Sequence, residues 1–261
     1  MTWWGDPPSR TRAYVGKSVR MEVLYRDLGR MGYGECWALQ RALFDAVLRA
    51  KGAPALFAEA PAADAAIPSL TPQQAGWLLT VEHNPVYTLG KSGKESNMLV
   101  SEAYLRSIGA EYYHIDRGGD VTFHGPGQIV AYPIVDLERL GIGLRDYIDS
   151  LEGAVIDTVA EWGVEAGRIA GASGVWIEPE RARARKICAI GVRSSRFVTM
   201  HGLALNVSTD LRYFSHINPC GFTDRGVTSL EREVGRKVDF EDVKRRLVRH
   251  LAEKLNVKIY K

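Results

Sequence analysis

The residues best suited to chemistry lie between His216 and Phe222, where Cys220 stands between Pro219 and Gly221. Proline and glycine are the strongest punctuators of local structure, so this order predicts a thiol presented on a tight turn rather than packed into a helix or strand. A free thiol has a pKa near ~8.5 and needs a nearby cation or dipole to become a useful thiolate. Lys186 is a candidate for that cation. It follows Arg181, Arg183 and Arg185 and opens the apolar run Ile187–Val192, where its amine can lie at a cleft edge with a lowered pKa. The plainer alternative is a solvated basic turn between two strands. Cys188, two residues beyond Lys186, should share its strand face and is a rival nucleophile on spacing alone.

A second dense cluster is Arg117-Gly118-Gly119-Asp120-Val121-Thr122-Phe123-His124, continuing through Gly125-Pro126-Gly127-Gln128. Four glycines in twelve residues describe a loop whose backbone must come close to something. The bland reading is a glycine-rich hairpin; Arg117, Thr122 and His124 favour a binding loop. It has neither the Walker nor the Rossmann spacing, so no nucleotide is implied. His83 ends an apolar run, a place where a histidine is most often structural.

Several elements must position these residues. Val23–Asp27 alternates as a strand, Gly29, Gly32 and Gly34 suggest a loop, and Glu35–Ala50 has helical spacing. Gly76–Val86 reads as a buried strand, 97–109 as a short helix, 111–115 and 129–135 as strands, and 147–162 as an amphipathic helix. Ile169–Ile177 is an apolar strand broken by Gly171 and Gly174. Phe197–His201 and Gly202–Val207 look like two paired strands. Asp239 caps a helix to Leu255, followed by a short strand at 257–260. No repeat or linker divides the chain, which predicts an α+β fold: a single domain with a mixed β-sheet flanked by helices. Residues 1–20 form an N-terminal extension, 21–261 the catalytic domain, and the proline- and alanine-rich stretch at about 53–72 an insertion.

At 46% hydrophobic and 25% charged over 261 residues, the composition is that of an ordinary globular protein, and a net charge of +3 argues against a dedicated nucleic-acid binder. Three cysteines without metal spacing read as reduced thiols in a cytoplasmic protein, with no metal. No run of about 18 apolar residues suggests a membrane span, and there is no signal-peptide pattern.

Cys220 within Asn-Pro-Cys-Gly, Lys186 before Ile and then Ala-Ile-Gly, and the Arg117–Gln128 loop together resemble the octanoyltransferases of lipoate biosynthesis, over roughly residues 21–255. The resemblance implies the fold of lipoate and biotin protein ligase catalytic domains. It implies transfer of an octanoyl group from acyl carrier protein to a lysine of lipoyl domains, those of 2-oxoacid dehydrogenases and the glycine-cleavage protein, with no cofactor. On it, Cys220 corresponds to the acyl-thioester nucleophile and Lys186 to the residue that lowers its pKa. The substrate pocket corresponds to Arg117, Gly118, Gly119, Asp120, Val121, Thr122, Phe123 and His124, to Ala189, Ile190 and Gly191, and to Gly202, Leu203 and Ala204, with His83 near the acyl site. The first 20 residues and the 53–72 stretch have no counterpart. The chain is expected to act as a monomer, away from nucleic acid and membrane.

Glycines at 118, 119 and 191 would let a straight acyl chain lie against backbone. Carrier and lipoyl domains are typically acidic, so Arg181, Arg183, Arg185, Arg193 and Arg196 are plausible docking residues on charge alone. Two rivals stay open: an ATP-dependent lipoate or biotin protein ligase on the same scaffold, which needs no cysteine, and an inert domain that binds acyl chains or lipoyl domains.

Overall fold

A computed structural model describes residues 20–57, 67–218 and 226–261. Its first unit is strand, helix, strand: β1 (Glu22–Met31), α1 (Tyr33–Ala50) and β2 (Gln74–His83). Three short strands, β3 (Val86–Leu89), β4 (Glu111–His114) and β5 (Val121–His124), follow with α2 (Glu102–Ser107) between the first two. Next come β6 (Gln128–Val135), α3 (Leu137–Leu140) and α4 (Leu144–Ala160). The meander β7 (Gly167–Ile169), β8 (Ala172–Ile177), β9 (Arg185–Ser195) and β10 (Val198–Asn206) leads to β11 (Gly226–Val227), α5 (Leu230–Val234), α6 (Phe240–Lys254) and β12 (Lys258–Tyr260).

The large sheet runs β12-β1-β2-β6-β10-β9-β8-β7, with β11 added beside β9, and the small one runs β4-β3-β5. Both mix parallel and antiparallel pairs. The run Ile129–Val135 is apolar throughout because both of its faces are covered. Ile129, Ala131 and Val135 join a core with Tyr147, Leu151 and Val155 of α4 and Leu247 and Leu251 of α6. Val130, Tyr132 and Ile134 join the opposite core with Leu43, Phe44 and Val47 of α1. The small sheet closes a third core of Tyr87, Leu89, Val121 and Phe123.

The α+β architecture matches expectation, and several boundaries are corrected. Val198–Asn206 form one strand, β10, rather than two, because it finds its partners in β9 and β6. The tight turn before it is made at Arg196 and Phe197, both at positive φ. The break at Gly171 (φ +76°) turns the chain from β7 into β8, and β1 continues through Gly29 to Met31. The segment 97–109 divides into a 3₁₀ turn at Glu95–Asn97 and α2. Asp239 does cap α6, accepting from the amides of Glu241 and Asp242. The proposed extension falls outside the described residues except for Arg20, as do residues 58–66 of the proposed insertion.

Candidate active site

Lys186 sits at the start of β9, opposite Trp176 of β8. Its Nζ donates to the Ser173 carbonyl at 3.1 Å and lies 4.6 Å from the centre of the Trp176 ring. Gly174, at φ +118°, makes room for this arrangement: a Cβ there would meet the Cys188 carbonyl at 2.5 Å and the lysine Cε at 3.4 Å. The β8–β9 register pairs Trp176 with Lys186 and Val175 with Cys188, so β9 carries one extra residue. This bulge reverses the expected alternation. Ile187 and Cys188 both enter the α4–α6 core, while Lys186 lines a cavity. The equal-face expectation for Cys188 is therefore wrong; its thiol is fully buried, and burial pushes its pKa up to about 12. Cys36 is buried with its pKa likewise at about 12.

The cavity, of about 620 Å³, is walled by β6, β9 and β10 of the large sheet, by the loop entering β5, and by Leu144 and Ile148 of α4. Of the expected pocket residues, Arg117, Gly118, Gly119, Asp120, Val121, Thr122 and His124 line it. So do Ala189, Ile190, Gly191, Gly202, Leu203 and Ala204. Two expected residues do not. Phe123 alternates away from Thr122 and His124 into the small-sheet core, stacked on Tyr213 with ring centres 4.6 Å apart. His83 lies behind the cavity wall, fully buried.

Arg117 organises the loop from beneath. Its guanidinium donates to the carbonyls of Gly118 (2.9 Å), Asp120 (2.7 Å) and Thr88 (2.7 Å). The Gly118 amide donates to the Val192 carbonyl of β9 at 2.9 Å. A Cβ at Gly191 would lie 2.9 Å from the Gly118 carbonyl and 3.1 Å from Arg117 Cδ. The glycine at 191 thus admits the loop, where the sequence suggested an acyl chain. Gly191→Ala is expected to cost about 1–3 kcal/mol by overpacking and to raise KM for the acyl donor. Urea unfolding and donor kinetics check this; an unchanged midpoint with unchanged KM would show that the loop does not depend on that contact. The Asp120 carboxylate accepts from the Val121 amide at 2.7 Å and from Asn97 Nδ2 at 2.5 Å. Asn97 in turn supplies the carbonyl that takes the Asn218 amide at 2.8 Å.

Three buried histidines flank the loop, and their partners fix their tautomers. His83 Nδ1 donates to the Met31 carbonyl (3.0 Å), leaving Nε2 to accept from the Tyr132 hydroxyl (2.9 Å). His124 Nδ1 donates to Gln128 Oε1 (2.8 Å), and His201 Nε2 donates to the Asp116 carboxylate (2.9 Å), which also pairs with Arg193. Burial is the main cause holding all three neutral, with pKa values lowered to about 4, 3 and 3 respectively. From His124 a buried chain runs through Gln128 Nε2 to Asn206 Oδ1 (2.9 Å), and through Asn206 Nδ2 to the Thr228 carbonyl (3.0 Å). The Thr228 amide donates to the Lys186 carbonyl at 3.0 Å. The glycine loop and the lysine strand are held in one polar framework.

Sequence reasoning passed over Ser173, Trp176, Tyr33, Tyr132, His201 and Asn206 as site residues, which all line the cavity. For Trp176 the one signal in the sequence was its place two residues after Gly174. Cys220 lies outside the described residues. Of the arginines expected to dock a partner, Arg181, Arg183 and Arg185 surround Glu178, Arg185 further pairs with Glu233, Arg193 pairs with Asp116, and Arg196 donates to the Pro54 carbonyl.

The structure thus brings a lysine of a mixed sheet and a glycine-rich loop to the wall of one partly apolar cavity. Residues 32–252 match the family model of the lipoyl protein ligase A/B catalytic domain. The chain belongs to this family. An octanoyltransferase of Bacteroides fragilis strain YCH46 is 52% identical over 231 residues, covering 88% of this chain and 97% of that one. One of Bacteroides thetaiotaomicron is 50% identical over 238 residues, covering 91% and 97%. In fold, the chain resembles the bipartite lipoate protein ligase of Thermoplasma acidophilum (TM-score 0.64, 16% identity, 93% and 87% coverage).

Proposed function

We propose that this chain transfers an octanoyl group from octanoyl-acyl carrier protein to a lysine of lipoyl domains through an acyl-cysteine. It is a transferase enzyme of protein lipoylation, and the observation that carries the mechanism is Lys186, held by β8 on the wall of the acyl-sized cavity. Of the three cysteines, Cys36 and Cys188 are buried with strongly raised pKa values, so Cys220 is assigned as the nucleophile.

In the first step the Cys220 thiolate attacks the carrier thioester carbonyl; the carrier leaves as its thiol, taking a proton from the Lys186 ammonium, and a new thioester forms beside the Lys186 amine. One thioester replaces another, so this step needs positioning and donors for the oxyanion more than driving force. In the second step the acceptor lysine's amine attacks the acyl-cysteine carbonyl, its proton passes to the Lys186 amine, and the Cys220 thiolate departs, leaving an amide. Lys186 as an ammonium favours the thiolate: at ~4 Å the attraction is roughly 4 kcal/mol at an effective dielectric of 20, before desolvation. His83, Phe123, Arg117 and Gly191 support the pocket, and the other expected pocket residues contact the acyl group and its carbonyl. The acceptors include the lipoyl domains of 2-oxoacid dehydrogenases and the glycine-cleavage protein, met in the cytoplasm by a monomer. Among the described residues no helix is long and apolar enough to cross a membrane.

Intact mass spectrometry after incubation with octanoyl-carrier protein and no ATP tests the reading. The expected result is one added octanoyl group, discharged by apo lipoyl domain. Transfer only from free octanoate with magnesium-ATP would establish the ligase chemistry instead.

A further inference from the structure

We infer that Trp176 is a positioning residue for Lys186, its indole face and the Ser173 carbonyl together holding the amine as an ammonium at the cavity wall. The inference rests on the catalytic role proposed for Lys186. Four observations converge on it. The two residues are register partners across β8 and β9, so the pairing is built into the sheet. Nζ lies 4.6 Å from the ring centre, within the range of a cation–π contact. The ring itself cannot swing freely: it is 3% exposed, and its Nε1 donates to the Ala172 carbonyl at 3.1 Å. Gly174 keeps the space through which the lysine stem passes.

A carbonyl oxygen and a π face both bind a cation better than a neutral amine. They therefore favour the protonated lysine that a thiolate needs as its partner, and they strengthen the amine, once formed, as the acceptor of the incoming lysine's proton. The ring also fixes where that proton is taken up, since Nζ is confined between two groups on one strand. Other charges act at this corner as well. Glu152 of α4 accepts from the Gly174 amide and pairs with Arg168 of β7. Arg185 of β9 is bound to Glu178 and to Glu233 of α5, and Cys188 lies on the opposite face of β9. On the proposed reading, Cys220 titrates together with the lysine. None of these groups is altered by changing only the electronics of the ring, which makes the ring's share separable.

The test is site-specific replacement of Trp176 by mono-, di- and trifluorotryptophan, together with Trp176→Phe and Trp176→Leu. Fluorination weakens cation binding stepwise with little change of size. Two profiles are read against pH: acyl discharge to apo lipoyl domain, and modification of Lys186 by acetic anhydride, followed by peptide mass spectrometry. The expected result is a stepwise fall in the pH midpoint of Lys186 modification with each fluorine, reaching about one unit for leucine. The discharge profile moves in parallel, and phenylalanine falls in between. Identical midpoints across the fluorinated series, with leucine merely less stable, would overturn the inference and reduce Trp176 to packing. If instead the Lys186 midpoint shifts while discharge shows no dependence on Lys186, the contact stands as geometry but the catalytic role fails, and the inference with it.

Discussion

A Lys186→Met variant retains the fold and loses octanoyl transfer by a factor of about 10²–10⁴, the range for removing a general acid–base. The stem of methionine fits the slot left by Gly174 and stacks on Trp176, so β8 and β9 keep their register while the amine is gone. The two half-reactions respond differently. Formation of the acyl-enzyme slows at neutral pH because the thiol loses its cationic partner, and raising the pH toward ~8.5 recovers part of that rate by ionising the thiol directly. Discharge to the lipoyl domain does not recover in the same way, because no group remains to take the acceptor's proton. Cys220→Ser, by contrast, removes the adduct at every pH. Separate measurement of loading and discharge by mass spectrometry between pH 6.5 and 9 distinguishes these patterns. A Lys186→Met enzyme that loads and discharges at the wild-type rate would remove the lysine from the mechanism.

The parts of this site that were legible in the sequence are those written locally. The glycine loop is recognisable because backbone that approaches other backbone needs glycine, and Lys186 because polarity changes abruptly at its position. Helices α1, α4 and α6 show a 3.6-residue period, and their ends erred by a few residues at most. What misled was information held by a partner strand. The face on which Cys188 lies depends on a bulge opposite Val175 and Trp176, and nothing within Lys186–Cys188 announces it. Gly191 looked like a floor for an acyl chain, yet its missing side chain is filled by Arg117 and the Gly118 carbonyl from another part of the chain. Nor does the sequence show that Glu178 and Glu233 fold against the arginines at 181, 183 and 185. Phe123 sits inside a binding motif but obeys the alternation of its strand and faces the core.

Acidification should unfold this protein well before its paired carboxylates begin to protonate. His83, His124 and His201 are held neutral with pKa values of about 4, 3 and 3, against an ordinary value near 6.5. Because the folded values are the lower ones, the unfolded chain binds protons first. The stability these histidines allow is fully present above about pH 6.5 and is lost as pH falls toward 4. At pH 4.5 His83 and His124 each account for up to about 2–3 kcal/mol, together a large share of the roughly 5–15 kcal/mol typical of a folded domain, while the Asp116 carboxylate offsets part of the cost at His201. Carboxylates with lowered values, such as Glu178 and Glu233, contribute their losses below about pH 4.5, so the interval from 6.5 to 4.5 reports chiefly on the histidines. The expected observation is a urea midpoint that falls steeply across that interval. In His124→Asn, whose amide can still donate to Gln128, the fall is shallower by about a third. Since His124 and His201 line the cavity, activity in acid should disappear along with this unfolding rather than along a separate titration. A midpoint that stays flat from pH 7 to 5 would mean that these imidazoles accept protons in the folded state, and that the polar framework linking the glycine loop to Lys186 is open to water.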